Sequence, residues 1–223
     1  DVFINDDLPW LKQQNTRVIA NIAGNTPEEY CEMAEKLSST DVDMIEMNIS
    51  CPNVKSGGVQ FGTSCESVGS ITSAVRKHCT KPLIVKLSPN VTDIAEIAKS
   101  AEANGADAIS MINTLTGMRI DINTKRPIIR NNTGGMSGPA VFPVAVRMVW
   151  QVSNAVKIPI IGMGGISTWQ DAVEMMIAGA SALQIGTVFF SDPYAPIKIA
   201  EGINEYLDKN GMKSVTELTG TIK

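Results

Sequence analysis

The sequence is poor in the residues from which metal sites and disulfide frameworks are built. Histidine occurs once, at position 78, and the four cysteines contain no CxxC pair. Because His78 stands directly beside Cys79, the spacing fits no zinc site. The composition therefore argues against zinc and indicates free thiols in a reducing cytoplasm. The cysteines are Cys31, Cys51, Cys65 and Cys79.

Positive charge and long apolar runs are also scarce. With 19 Lys and Arg against 23 Asp and Glu, the net charge is −4 and the pI is near 5.1. The chain therefore lacks the excess of positive charge that is typical of proteins that bind nucleic acid or anionic lipid. No apolar run is long enough to span a bilayer. The segment 1–7 is acidic where a secretory signal is basic. These features predict a globular cytoplasmic protein with no nucleic-acid or membrane partner.

Short apolar strands alternate with amphipathic helices along the chain, which is typical of a parallel α/β architecture. One helix start is explicit, because Thr26 is a typical N-cap and Pro27 suits the first helical position. Gly105 is a typical helix end. The pattern predicts strands at 17–23 (buried), 42–49, 82–87, 108–112, 158–162 and 182–185. Helices are predicted from Thr26 and at 64–78, 91–104, 140–155, 168–178 and 194–207.

These elements make six βα units without a linker, which predicts one domain over residues 1–223. A closed (β/α)8 TIM barrel has eight units and typically ~250 residues. The sequence therefore predicts such a barrel, with about six of its eight units in this chain and the first two absent. An open doubly wound sheet is the alternative. Glycines after the last two strands, rather than after the first, favour the barrel.

The segment 48–53 follows a predicted strand and offers two amides, a hydroxyl and a thiol. Amides suit a flat polar ligand, because each supplies an acceptor and two donors. The thiol of Cys51, in a Gly-rich loop over such a ligand, would serve as a base. Taken alone, the segment is equally well read as a polar turn with an incidental cysteine.

Polar residues stand at or near the ends of four predicted strands. They are Asn21, Asn48, Lys86 and Asn113. In a parallel barrel these strand ends face one site, so residues distant in sequence converge. Each position has a simpler explanation, since an asparagine can terminate a strand and a lysine can extend into solvent. Four such positions on one rim favour a site.

Glycines follow the last two predicted strands, in the segments 162–167 and 186–187. At such loops backbone N–H groups can approach a phosphate at a helix N-terminus. Tight turns with positive φ are the alternative, but two such loops in successive units favour phosphate binding. The sequence therefore predicts a mononucleotide cofactor whose ring lies toward Asn48 and Lys86. Its phosphate is expected near Gly164, Gly165, Gly186 and Thr187.

The segment 113–138 interrupts the alternation, being long, polar and rich in glycine. Long loops in compact domains are usually functional or disordered. Within it, residues 118–122 and 127–130 are able to pair as a hairpin. The glycines at 134–138 either close over a cofactor or form a return from that hairpin.

Five motifs in this order resemble a class 1 dihydroorotate dehydrogenase. They are N-I-S-C-P-N-V at 48–54, V-K-L at 85–87, I-N-T-L at 112–115, G-M-S-G at 135–138 and G-M-G-G-I at 162–166. The run at 113–121 is similar to the class 1B catalytic subunit, and the resemblance covers essentially the whole chain. It implies an FMN-dependent (β/α)8 barrel that oxidises dihydroorotate to orotate in pyrimidine biosynthesis.

The resemblance also implies roles for individual residues. It makes Cys51 the catalytic base and implies no metal site. The pyrimidine would be held by Asn48, Asn53, Asn113 and Thr114. FMN would be held by Asn21, Asn48, Lys86, Ile112, Gly138, Gly164, Gly165, Gly186 and Thr187.

The class 1B resemblance further implies a homodimer joined to a subunit that carries FAD and an iron–sulfur cluster, in an NAD-linked heterotetramer. This chain has no clustered cysteines for such a cluster. The family's first two strands, with a further flavin-facing lysine and a substrate-binding Asn-Gly segment, would precede Asp1, so an N-terminal truncation is expected. The alternatives are a class 1A enzyme using fumarate, a dihydropyrimidine dehydrogenase-like barrel, a non-redox phosphate-binding lyase or synthase, and an inactive interaction module.

Overall fold

The computed structural model describes residues 1–50 and 61–223. These residues form two compact units. The first comprises residues 1–87 and 95–110, and the second comprises residues 88–94 and 111–223.

The first unit is built on four strands, in which each strand pairs in parallel with the next. The strands are β1 (Ile19–Ile22), β2 (Met44–Asn48), β3 (Leu83–Lys86) and β4 (Ala108–Met111). A π-helical segment, Phe3–Asp7, opens the chain. The α-helices are α1 (Leu8–Leu11), α2 (Pro27–Ser38), α3 (Cys65–Arg76) and α4 (Ile94–Ala103).

Local sequence signals start and end these helices. The Thr26 side chain accepts a hydrogen bond from the N–H of Glu29 at 3.3 Å and caps α2 as predicted. Ser64 caps α3 in the same way, accepting from the N–H of Ser67 at 3.1 Å. After α4 the chain passes through Gly105 at a φ of +101°, a conformation that glycine adopts at little cost.

The strand predicted at 17–23 is shorter in the structure, where β1 covers Ile19–Ile22. The prediction that this strand is buried is wrong for the side chains on one of its two faces. In β1, Ala20 and Ile22 are buried, whereas Ile19 is 41% exposed and Asn21 is exposed. The reason is that β1 is an edge strand of the sheet and helix α2 packs against it. Side chains alternate between the two faces of a strand, so only one set of them is buried by the described residues.

The second unit holds the remaining elements. Its strands are β5 (Leu115–Gly117), β6 (Ile120–Asp121), β7 (Arg126–Pro127), β8 (Gly134–Met136), β9 (Ile160–Met163) and β10 (Ala182–Gln184). Its α-helices are α5 (Phe142–Ser153), α6 (Trp169–Ile177) and α7 (Ala195–Lys209). Short 3-10 turns cover Pro139–Val141, Thr187–Phe190 and Val215–Glu217.

The predicted hairpin is confirmed, and it lies inside a second pair of strands. In the hairpin, β6 and β7 are antiparallel, with Ile120 opposite Pro127. Outside it, β5 and β8 are also antiparallel, with Leu115 opposite Met136. The sequence did not predict β8, because two of its three residues are glycines with no side chain to show alternation.

All six predicted βα units occur in the described residues. The sheet of the first unit has the order β1-β2-β3-β4, and in the second unit β9 and β10 pair in parallel. Within the part of the chain that the structure describes, no helix combines the length and the hydropathy needed to cross a membrane.

Asp43, just before β2, joins the start of the sheet to the N-terminal segment. Its carboxylate accepts from the N–H of Val18 at 2.8 Å, from Lys12 Nζ at 2.9 Å and from Arg17 Nη1 at 3.0 Å. The Val18 N–H is the main cause of a pKa far below the ordinary value of this carboxyl, followed by Lys12. The lowered pKa means that folding favours the ionised form.

Asp43→Asn is therefore expected to lower the melting temperature at pH 7 and to do so less as the solution becomes acidic. A group whose pKa is lowered by folding contributes stability above its unfolded pKa, about 3.9 for Asp, and loses it as pH falls toward the folded pKa. Thermal unfolding at pH 7 and pH 3 measures this. Asp41→Asn, which removes an exposed carboxylate nearby, is the control. An equal shift at both pH values would contradict the assignment.

Candidate active site

Polar residues of the first unit share one face of its sheet. Asn21 lies opposite Glu46 in the strand register, and Lys86 lies opposite both Asn48 and Ser110. The side chains of register partners in a parallel pair point to the same side of the sheet, and residues two apart on a strand share a face. Because Glu46 and Asn48 are two apart on β2, their register partners lie on the same face of the sheet as well. Three of the predicted positions, Asn21, Asn48 and Lys86, are therefore brought to one face.

Asn48, the last residue of β2, is held from two sides. Its backbone carbonyl accepts from the hydroxyl of Tyr30 at 2.7 Å, and Tyr30 is fully buried in α2. Its side-chain oxygen accepts from the backbone N–H of Ser50 at 3.3 Å and from the Ser50 hydroxyl at 3.0 Å. These bonds fix the backbone and the amide at the point where β2 ends.

Two residues of this face were not singled out from the sequence. Glu46 is only 4% exposed and accepts a hydrogen bond from Asn21 Nδ2. Ser110 is fully buried, and its hydroxyl has no hydrogen-bond partner in the described structure. The available signal was a polar residue flanked on both sides by apolar residues within each strand, and buried polar groups normally require partners.

Glycine loops of the second unit pack against one another. A Cβ added to Gly165 would lie 2.6 Å from the carbonyl oxygen of Gly138, and one added to Gly164 would lie 3.2 Å from the Ile112 side chain. The corresponding position at Gly138 lies 3.9 Å from the Thr187 methyl group. Gly138, Gly164 and Gly165 all have positive φ. Five of the predicted cofactor residues thus adjoin one another, and the Gly138 carbonyl oxygen leaves no room for a side chain at position 165.

The same loops carry unused hydrogen-bond donors. The backbone N–H groups of Gly164, Gly165, Gly186 and Thr187 donate to no acceptor among the residues that the structure describes. Gly186 and Thr187 are exposed, and a Cβ added to Gly186 would meet no atom within 4 Å. Neighbouring free N–H groups beside open space form an anion-binding concavity. We call these four residues the glycine cradle.

The N-terminus of α6, which follows the first of these loops, is already satisfied by its own residues. The Asp171 carboxylate accepts from the N–H groups of Ser167 and Thr168, both at 2.9 Å, and the Thr168 hydroxyl accepts from the Asp171 N–H at 3.2 Å. A carboxylate in this position repels a phosphate. The free N–H groups of the loops are therefore better donors to an anion than this helix end is.

The predicted substrate residues Asn113 and Thr114 lie directly after β4 and Ile112. The side-chain oxygen of Asn113 accepts from the N–H of Thr114 at 2.8 Å. Asn90, which the sequence did not single out, donates from Nδ2 to the carbonyl of Thr114 at 3.0 Å and accepts from the N–H of Thr116 at 2.9 Å. Asn90 therefore bonds one backbone carbonyl and one backbone N–H of this segment, as a paired β-strand would.

Cys51 and Asn53 lie outside the described residues. Of the other thiols, Cys79 is buried, Cys65 is exposed, and partial burial raises the pKa of Cys31, with help from the charges of Glu28 and Glu35. No cluster of three or more His, Cys, Asp or Glu able to hold a metal occurs in residues 1–50 and 61–223.

Comparison with known proteins identifies the family. A family model described as "Dihydroorotate dehydrogenase" matches residues 1–207. Proteins named "Dihydroorotate dehydrogenase B (NAD(+)), catalytic subunit" are 56% identical in Alkaliphilus metalliredigens, 54% in Alkaliphilus oremlandii and 55% in Bacteroides fragilis. Each alignment covers 100% of this chain and 74% of the relative. The chain therefore belongs to the dihydroorotate dehydrogenase family, and its predicted fold class, part of a (β/α)8 barrel, is confirmed.

Proposed function

We propose that this chain is the catalytic part of a dihydroorotate dehydrogenase, which oxidises dihydroorotate to orotate with FMN in pyrimidine biosynthesis. The observation that carries the proposal is the match of the whole chain, at 54–56% identity, to catalytic subunits of that name. The (NAD(+)) in those names favours the class 1B enzyme over the fumarate-using class 1A. The glycine cradle gives independent support, because it suits the phosphate of a mononucleotide.

The residues present fit FMN. The free N–H groups of Gly164, Gly165, Gly186 and Thr187 would hold its phosphate, and Ile112 and Gly138 pack beside them. Asn21, Asn48 and Lys86 would provide amides and a positive charge toward the polar parts of the ring. Bound FMN would supply a two-electron acceptor for the hydride that leaves C6 of dihydroorotate.

The remaining roles belong to side chains of the chain itself. Asn48, Asn53, Asn113 and Thr114 would bind the carbonyl and N–H edges of the pyrimidine, since amides and hydroxyls offer both donors and acceptors. Cys51, as a thiolate, would take the proton from C5. Loss of that proton together with the C6 hydride forms the C5–C6 double bond of orotate. Lys86 would stabilise negative charge that develops in the site.

Asn90→Ala is expected to raise the KM for dihydroorotate about tenfold, a loss of ~1.4 kcal/mol. The variant removes both bonds by which Asn90 holds the segment containing Thr114, so a proposed substrate residue is positioned less firmly. Steady-state kinetics with an artificial acceptor measures the effect. Asn154→Ala removes an asparagine whose side chain, among the described residues, bonds only the Trp150 carbonyl of its own helix, and it should leave KM unchanged. An unchanged KM in Asn90→Ala would contradict the role.

We further propose that electrons leave through a second subunit with FAD and an iron–sulfur cluster, bound to a homodimer of catalytic subunits in a heterotetramer. The catalytic subunit alone is then expected to reduce artificial acceptors but not NAD. Co-expression with the electron-transfer subunit should confer NAD-dependent orotate formation, followed as NADH absorbance. Rapid turnover with fumarate by the catalytic subunit alone would instead assign the protein to class 1A.

A further inference from the structure

A buried carboxylate lies beside one of the residues proposed to bind the flavin. Glu46, on β2, is 4% exposed, whereas its register partner Asn21, on β1, is exposed. Asn21 Nδ2 donates a hydrogen bond to Glu46 Oε2. Burying a carboxylate is costly unless it is hydrogen-bonded, so this bond is one that the fold has reason to keep.

The chemistry of the pair fixes the orientation of the Asn21 amide. An ionised carboxylate only accepts hydrogen bonds, whereas an amide has an accepting oxygen and a donating nitrogen. Asn21 must therefore turn its nitrogen toward Glu46. Its oxygen and its second N–H remain for the exposed side, and neither has a partner in the described part of the chain.

We propose that Glu46 is a positioning residue that sets which way the Asn21 amide faces, and thereby presents one acceptor and one donor to the flavin. The pyrimidine part of the flavin ring alternates N–H and C=O groups, so an amide of fixed orientation matches it in one register. The inference rests on the proposed function, because it assigns Asn21 to FMN.

Glu46→Gln tests this at nearly constant shape. Glutamine both donates and accepts, so it holds Asn21 equally well in either orientation. The dissociation constant for FMN, measured by fluorescence titration of the apoprotein, should rise about tenfold, and the melting temperature should be recorded alongside it. Asp43→Asn makes the same chemical change directly before β2, and should alter the melting temperature without altering FMN affinity.

A double-mutant cycle separates positioning from general damage. With Asn21→Ala as the background, adding Glu46→Gln should have no further effect on FMN affinity, because no amide is left to orient. Asn21→Ala alone should itself weaken FMN binding, because the acceptor and the donor that the amide presents are lost. This comparison does not require Glu46→Gln to fold by itself.

The outcomes are distinct. If the parent protein binds no FMN, the proposed function fails, and the inference fails with it. If the parent binds FMN but Glu46→Gln binds it equally well, or weakens it by the same factor in the Asn21→Ala background, the positioning role is overturned while the proposed function stands. Equal FMN affinity in Asn21→Ala and the parent would likewise overturn it.

Discussion

Gly186→Asp is expected to weaken FMN binding at least about 100-fold, or ~2.7 kcal/mol, while the chain stays folded. A Cβ at this position meets no atom within 4 Å, so the substitution creates no clash within the protein. The carboxylate would stand among free N–H groups of the glycine cradle. There it would compete for those donors and repel the phosphate. Titration of the apoprotein with FMN, with circular dichroism to check folding, gives the result.

Gly211→Asp provides the matched control. A Cβ added to Gly211 would also meet open space, although the φ of this residue is +67°, which aspartate tolerates better than most residues. Gly211 follows α7 and lies outside the glycine cradle, so FMN affinity should not change. Equal FMN affinity in Gly186→Asp and the parent would place the phosphate elsewhere.

Gly165→Val is a poorer test of the same cradle. Its Cβ would lie 2.6 Å from the Gly138 carbonyl oxygen, and its φ is +82°. Loss of flavin from that variant would follow from backbone strain whether or not a phosphate binds there.

Cys51→Ala is expected to leave FMN bound but to slow its reduction by dihydroorotate by about 10²–10⁴-fold at neutral pH, the usual contribution of a general base. Anaerobic stopped-flow measurement of flavin bleaching gives the rate. In the parent the rate should rise toward alkaline pH, because the thiolate forms near a reference pKa of about 8.5. Cys51→Ser should recover some rate at high pH.

The other cysteines provide controls for this assignment. Replacing Cys31, Cys65 or Cys79 with Ala should change the reduction rate little, and Cys65, exposed at the start of α3, is the variant least apt to disturb folding. Normal reduction by Cys51→Ala would contradict its role as the base.

Much of the fold was predictable because local signals and tertiary packing agree. Thr26 caps a helix by a bond to a residue three positions away, and Gly105 ends another, so neither depends on distant parts of the chain. The exposure of Ile19 was not predictable, because it depends on the position of β1 within the sheet. An apolar sequence shows that a strand can be buried, but it does not show which other elements pack on its faces.

The candidate site was likewise predictable where local sequence determines it and not where distant residues do. Glycines after two strands and polar residues at strand ends predicted which loops and side chains are brought together within each unit. The partners of those side chains were not predictable. Asn90 bonds Thr114 across 24 positions, and Glu46 receives Asn21 from the neighbouring strand across 25. The sequence also did not show that the Asp171 carboxylate accepts hydrogen bonds from the N–H groups of Ser167 and Thr168 rather than facing solvent.

Anaerobic addition of dihydroorotate to the FMN-loaded protein tests the central claim most directly. The account predicts that absorbance near the visible flavin maximum bleaches, with one orotate formed for each flavin reduced. A protein that binds no flavin, or whose bound flavin keeps its oxidised spectrum with excess dihydroorotate, would contradict it.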